Sequence, residues 1–257
     1  ILATRPIQAE VAMTYSDRSK AFLKTEPHQK LNHRGLVTGF YERILNLGIH
    51  RDLVPEGAEL AGYKLLFTPF LPYLSAELLE KATAFVAEGG VWVVGPLTGG
   101  RTEEHTMHTT AALGELEQLA GVETVYTFPM DSSSTIGGAF DVAAPLSLWS
   151  SVFETKEATA VGTIEAGLAA GHAFLRTYGK GKIVMLGSMP TGEAGEQLLN
   201  NLITHYADEA GVTLRTDVTA GTIVAPRRGD GCDVWVVVNM DGAGGSVTLP
   251  RSGIDPI

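Results

Sequence analysis

The sequence predicts an α/β fold: a mostly parallel sheet with helices on both faces, followed by a small antiparallel β module. Three observations carry this expectation. Over the first two-thirds of the chain, short near-continuous apolar runs such as "VWVV" alternate with amphipathic helical stretches, the rhythm of βαβ units whose strands are buried on both faces. That rhythm stops after Gly211, beyond which short strand-like runs and glycine turns follow one another. The composition is globular, with 44% hydrophobic and 19% charged residues, and 257 residues suffice for one large core or for a domain with a smaller companion.

Taken in order, "VAMTY" (Val11–Tyr15) is apolar, short and strand-like. The polar stretch "SDRSKAFLKTEPHQKLNHRG" that follows reads as irregular towards its end. Residues 37–47 place Phe40, Ile44 and Leu47 at helical spacing, and Gly48 supplies the left-handed residue that stops a helix. "HRDLVP" and "YKLLFTPF" are the second and third strands. Ser75 has the side chain to cap a helix carrying Leu78, Leu79, Ala82 and Phe85 on one face, with Gly89 beyond its end. The strand Val91–Val94 then runs straight into "GPLTGG". Residues 111–120 read as a helix, and "VETVYTF" and "TAVGTIE" as strands. "HAFLRTYGKGKIVMLGSMP" reads as a hairpin of residues 172–178 and 182–187. Residues 193–210 form a long helix with Leu198, Leu199, Leu202, Ile203 and Tyr206 on its apolar stripe. The last part holds three short strands split by "RRGDG" and "DGAGG". The boundary falls near residues 211–214, giving an α/β domain over 1–211 and a partial antiparallel β domain over 212–257. The start at Ile1 and the tail "SGIDPI" suggest a piece of a longer polypeptide.

Charge and cysteine content narrow the function classes. The formal net charge is −10 and no run of five basic residues occurs, which disfavours a nucleic-acid partner or a polybasic membrane contact. No apolar run reaches the 18 or so residues that a bilayer span needs. The lone Cys232 can form neither an internal disulfide nor a zinc cluster. With no signal-peptide pattern, this predicts a reducing, cytoplasmic location.

The turn "GPLTGGRTEE" lies where an α/β protein keeps a phosphate or a nucleophile. A phosphate loop needs a lysine that is missing here, and Glu103 and Glu104 oppose an anion. A nucleophile elbow would put Pro96 or Leu97 at the reactive position, and neither can attack; Thr98 is a weak fallback. A tight turn closing a strand is the better reading. His105 and His108 share a helical spacing, but two histidines leave a zinc site incomplete, so a solvated loop is favoured. Glu103, Glu104, Asp131, Asp141, Glu154 and Glu165 offer carboxylates without a spacing that selects a glycosidase pair. "DSSST" (131–135) reads as a turn or cap. Trp92 and Trp235 sit in apolar strands as core or interface. Trp149 is the tryptophan expected to be exposed, for stacking on a sugar or a neighbouring subunit. Cys232 reads as structural. No metal and no cofactor is implied.

The segments "VTGFYERILNLGIHRDLVP", "LAGYKLLFTPFLPYLSAELLEKATAFVAEGGVWVVGPLTGGRTEEHTMH" and "LGELEQLAGVETVYTF" occur in an order that resembles the middle and C-terminal parts of family-42 glycoside hydrolases, the bacterial β-galactosidases. "AFLRTYGKGKIVMLGSMP" and "VWVVVNMDGAGGSVTLP" extend the resemblance to about residues 10–250. It implies a flavodoxin-like domain, similar to class I glutamine amidotransferases, that makes a homotrimer, then the start of a short C-terminal β domain. It also implies a (β/α)₈ barrel with two catalytic glutamates ahead of this region; the chain has no room for one, so neither glutamate has a counterpart here. In that family a neighbouring subunit's copy of this domain helps wall the barrel mouth. Residues 71–73 and 97–108 are therefore candidate contacts, with Phe70, Leu71, Tyr73 and Trp149 as candidate interface anchors. Where related folds carry an elbow cysteine, "GPLTGG" stands here, which makes the domain an assembly module without catalytic residues of its own. The alternatives are a free-standing amidotransferase-like hydrolase using Thr98 or a carboxylate, and a carbohydrate-binding module using Trp149.

Overall fold

The computed structural model describes residues 3–26, 28, 31–130, 134–179, 181–240, 242–249 and 252–254. The chain opens with β1 (Arg5–Pro6) and β2 (Val11–Tyr15), then α1 (Asp17–Leu23), where the N-cap Ser16 side chain accepts the Ser19 N–H, and α2 (His33–Asn46), capped in the same way by Asn32. Next come β3 (Arg51–Pro55), β4 (Leu65–Thr68), α3 (Ala76–Ala87), capped by Ser75 on the Leu78 N–H, and β5 (Val91–Val94). A β-rich stretch follows: α4 (Glu115–Ala120), β6 (Val122–Met130), β7 (Ile136–Ala139), β8 (Val142–Thr155), β9 (Thr159–Ala166), β10 (Ala173–Tyr178), β11 (Lys182–Leu186) and β12 (Ser188–Pro190). The long α5 (Gly192–Glu209) leads to β13 (Asp217–Val218), β14 (Thr222–Gly229), β15 (Cys232–Asn239) and β16 (Val247–Thr248).

The expected flavodoxin-like sheet, mostly parallel and covered by helices on both faces, does not form. The parallel part is limited to β3-β2-β4-β5-β11, and the larger remainder is antiparallel. There β8 pairs with β6, β7 and β12, β7 with β9, and β9 with β10. A single β10–β8 pairing, Ala173 with Phe153, closes β7-β9-β10-β8 into a small barrel. The physical reason lies in the connections. A parallel pair needs a crossover of a dozen or more residues, whereas β7 and β8 are joined by Phe140 and Asp141 alone. Both have positive φ, 52° and 60°, the backbone of a two-residue hairpin turn whose twist matches its strands.

Within the parallel part, strand alternation splits the core in two. Val91 and Val93 of β5 join Met13, Phe40, Phe67 and Phe70 on one side of the sheet; Trp92 and Val94 join Leu66, Ala82 and Phe85 on the other. This double burial is why these strands read as unbroken apolar runs. A second, three-stranded sheet of order β1-β14-β15 draws Arg5 and Pro6 into antiparallel pairing with Arg228 and Arg227.

Glu10, just ahead of β2, ties the main sheet to the segment after α5. Its carboxylate takes Lys64 Nζ and the backbone N–H groups of Thr213 and Leu214. Burial alone would raise its pKa, but these donors together with the Thr213 hydroxyl outweigh that and hold it at about 2, against an ordinary 4.5. A folded pKa below the unfolded one gives stability that is fully present above about pH 4.5 and lost as the pH falls towards 2. Glu10→Gln is therefore expected to lower the melting temperature at pH 7, with the difference from wild type shrinking through that window. Melting curves at stepped pH values check this, and a difference that stays constant from pH 7 to 2 contradicts it.

Candidate interface at the C-terminal end of the parallel strands

The turn after β5 is a buried structural joint. All residues from 95 to 100 are buried, and Gly95 has φ 97°. A Cβ at Gly95 would stand 2.1 Å from the Leu186 carbonyl oxygen, so the backbone approach there requires glycine. Thr98, the fallback nucleophile, is 4% exposed; its hydroxyl donates to the Thr68 carbonyl at 2.7 Å and accepts the Leu71 N–H at 3.3 Å. With its proton engaged and its oxygen enclosed, it works as a rivet between two loops.

Those loops continue side by side beyond the strands. The Phe70 N–H donates to the Pro96 carbonyl, the Gly99 N–H to that of Leu71, and the Arg101 N–H to that of Pro72, each at 2.9 Å. Phe70 and Leu97 both sit in the left-handed region, at φ 58° and 53°, which bends each loop back over the sheet. Of the four candidate anchors, Phe70, Leu71 and Trp149 are packed inside the chain, and Tyr73 alone is partly exposed. The expectation of an exposed Trp149 is thereby corrected. It lies in the middle of β8, 4% exposed, with its indole N–H donating to Thr127 Oγ1 at 2.7 Å. It forms part of the floor, with the Arg101 guanidinium 5.7 Å from its ring centroid.

The hub of this region is Glu26, whose side chain is 1% exposed. Oε2 accepts Arg101 Nη2 at 2.6 Å, while Oε1 lies 3.2 Å from His105 Nε2. A carboxylate this buried is tolerable because both oxygens have charged or polar partners. His105 stacks on Phe22 at 4.2 Å between ring centroids and reaches Thr25 Oγ1 through Nδ1 at 3.1 Å. The other histidine, His108, turns to the Gly99 carbonyl at 3.1 Å. The two histidines thus serve separate partners, and among the described residues no group of three or more His, Cys, Asp or Glu is placed to hold a metal ion. Above the hub, Arg18 pairs with Glu103 at 3.0 Å and lies 5.0 Å over the Tyr73 ring, which also faces Phe22. Met107 completes the surface, 55% exposed.

Among the remaining carboxylates, Asp141, Glu154 and Glu165 are exposed. Glu117 is buried, but its oxygens accept the Leu113 and Thr124 N–H groups. The first three residues of "DSSST", Asp131 included, lie outside the described residues. Cys232 is exposed. The arrangement offers aromatic edges, an exposed thioether whose sulfur accepts Arg101 Nη1 at 3.2 Å, and charges of both signs, which suits protein contact. Arg101 falls within the candidate contact loop 97–108, whereas Phe22 and Glu26 escape sequence reasoning, since nothing local marks a polar stretch near residue 26 as the partner of a loop 75 positions away.

Residues 9–213 match the family described as the β-galactosidase trimerisation domain. The chain is 64% identical over 257 residues to β-galactosidase YesZ of Bacillus subtilis (strain 168), covering 99% of this chain and 39% of that protein. It is 30% identical over 219 residues to a β-galactosidase of Thermus thermophilus, covering 82% of this chain and 31% of the relative. Among solved structures, the β-galactosidase from Rahnella sp. R3 superposes with a TM-score of 0.83 at 22% identity, over 96% of this chain and 38% of that one. The β-galactosidase from Bacillus circulans sp. alkalophilus gives 0.81 at 21% identity, over 90% and 35%. At such identities these two structures speak for the fold. The chain spans well under half the length of each of these proteins.

Proposed function

Because this chain belongs to the β-galactosidase trimerisation domain family of glycoside hydrolase family 42, we propose that it is the oligomerisation region of an enzyme that cleaves terminal β-galactosides, and that three copies join through it. The family match over residues 9–213 carries the reading. The surface around Tyr73, Arg18, Glu103, His105 and Met107 is the proposed contact with a neighbouring subunit, including its catalytic barrel. The buried Glu26–Arg101 pair fits that role, since an interface gains affinity when its contact groups are held in place before binding.

Size-exclusion chromatography with light scattering tests the assembly. The expected mass is about three times the 27.3 kDa of one chain. A permanent interface of this kind buries upwards of about 2,000 Å² and holds at micromolar concentration. A clean monomer at tens of micromolar contradicts the proposal. Assay of the purified chain on a chromogenic galactoside is expected to give no turnover, and turnover by this chain alone would move the catalytic role into it.

A further inference from the structure

The main sheet ends in an open edge. β3 is its last strand, with β2 on one side and, among the described residues, no strand on the other. The outer edge is covered just before β3, where the His50 N–H donates to the Leu214 carbonyl and the Thr216 N–H to that of Gly48. By the two-residue period of a strand, the N–H and C=O groups of Asp52 and Val54 point the same way as those of His50, out from the uncovered part of the edge. Leu53, between them, is 50% exposed.

Beside this edge runs a groove lined by Tyr15, Lys20, Arg34, Val37, Tyr41 and Leu53. Its charge is unusual for a chain of net charge −10. Lys20 and Arg34 are exposed and form no ion pair among the described residues. Beneath Tyr41, 4.4 Å from the ring centroid, lies the guanidinium of Arg51, 8% exposed and likewise without an ion pair. Asp17, the nearest acid in sequence, accepts the Tyr15 hydroxyl at 3.1 Å. Lys20 and Arg34 thus face the groove beside the open strand, with Asp17 as the acid near them and Arg51 buried behind Tyr41. On the other face of the strand Asp52 accepts the Tyr63 hydroxyl at 2.9 Å.

We propose that the edge of β3 is a docking site for an extended acidic polypeptide segment, which adds a strand alongside Asp52–Val54 and directs alternate carboxylates to Lys20 and Arg34. Backbone pairing supplies the attachment, and the rim cations select the charge, as in strand addition generally. β3 carries Arg51, Asp52 and Pro55, which limit indiscriminate edge pairing, and the open N–H and C=O groups of Asp52 and Val54 leave room for a short strand of matching charge. This groove and the loop surface assigned to trimer contact use different residues of α1, Lys20 and Arg18, and the strand-addition reading does not depend on the trimer reading.

The test uses the 257-residue chain and a fluorescein-labelled peptide of about ten residues alternating threonine and glutamate. Fluorescence anisotropy is expected to show saturable binding below about 1 mM, weakened at least about tenfold by K20E/R34E. The same peptide N-methylated at every second residue, and a threonine–lysine peptide, are expected to bind at least about tenfold more weakly. Both substituted residues are exposed, and far-UV circular dichroism checks that the variant folds; K20Q/R34Q serves if the charge reversal does not. No saturable binding, equal binding by either folded variant, or equal binding of the lysine peptide overturns the proposal. So does equal binding of the N-methylated peptide, which would reduce the effect to charge attraction.

Discussion

Arg101→Met is expected to lower the unfolding free energy by about 3–5 kcal/mol, the cost of leaving a buried charge without its main partner. Glu26 is 1% exposed and Arg101 11%, so water cannot readily replace the 2.6 Å bond between them. His105 remains 3.2 Å away, but its ring offers one donor where the guanidinium offers a fork, and it is also engaged by Thr25 and stacked on Phe22. Arg101 further spans Trp149 and donates to the Gly100 carbonyl, so the loop after β5 is expected to loosen as well. The double variant E26Q/R101M is expected to recover much of the loss, because it removes the orphaned charge together with its partner. Urea unfolding of the four forms of this cycle measures the coupling. A loss below about 1 kcal/mol in the single variant would place the pair among weak surface ion pairs and remove the base on which the proposed interface stands.

Trp92→Ala carries the second large effect, about 3–5 kcal/mol, by opening a cavity under the centre of the parallel strands. Trp92 is fully buried on β5, and its indole N–H donates to Thr68 Oγ1 at 2.9 Å on β4. Truncation removes the largest side chain of its half of the core and leaves the Thr68 hydroxyl without this donor. Trp92→Phe keeps most of the volume and is expected to cost clearly less. Equal losses for the two substitutions would mean that the hydrogen bond, and not the filled volume, dominates. Thr68 and Thr98 share one chain of hydrogen bonds, so both variants are also expected to speed hydrogen exchange at the Leu71 amide.

What the sequence made readable follows from burial on both faces. Leu65–Thr68 and Val91–Val94 stand out because every position is buried, and α3 stands out because Ser75 caps it and Leu78, Ala82 and Phe85 share a face. In the antiparallel half β6, β9 and the β10–β11 hairpin were legible as strands, but β7 and β8 were opaque for equally physical reasons. β8 buries Ser150 and Ser151 and pairs them by hydroxyl contacts with Ser188 and Thr127, so its inward positions look like loop residues. β7 contains Gly137 and Gly138, a pair that reads as a turn. In the fold a Cβ at Gly137 would come within 2.7 Å of the Phe174 ring, a constraint set by a strand more than thirty residues away. The turn after β5 was read correctly as a joint, since its residues lack a nucleophile. The Glu26 hub was not legible, because Glu26 lies after α1 while Arg101 and His105 lie on the loop after β5, and only the fold brings the two segments together.

The pairing of Arg5–Pro6 with Arg227 and Arg228 has a mechanical consequence. It holds the polypeptide entering this region to β14, while β16, further along, is held to β13 by a ladder of the same length. Tension applied through the two ends would load these two short ladders first and reach β2 and the main sheet only after they had unzipped. The region would then yield in stages under force, with the small sheets acting as fuses ahead of the larger one.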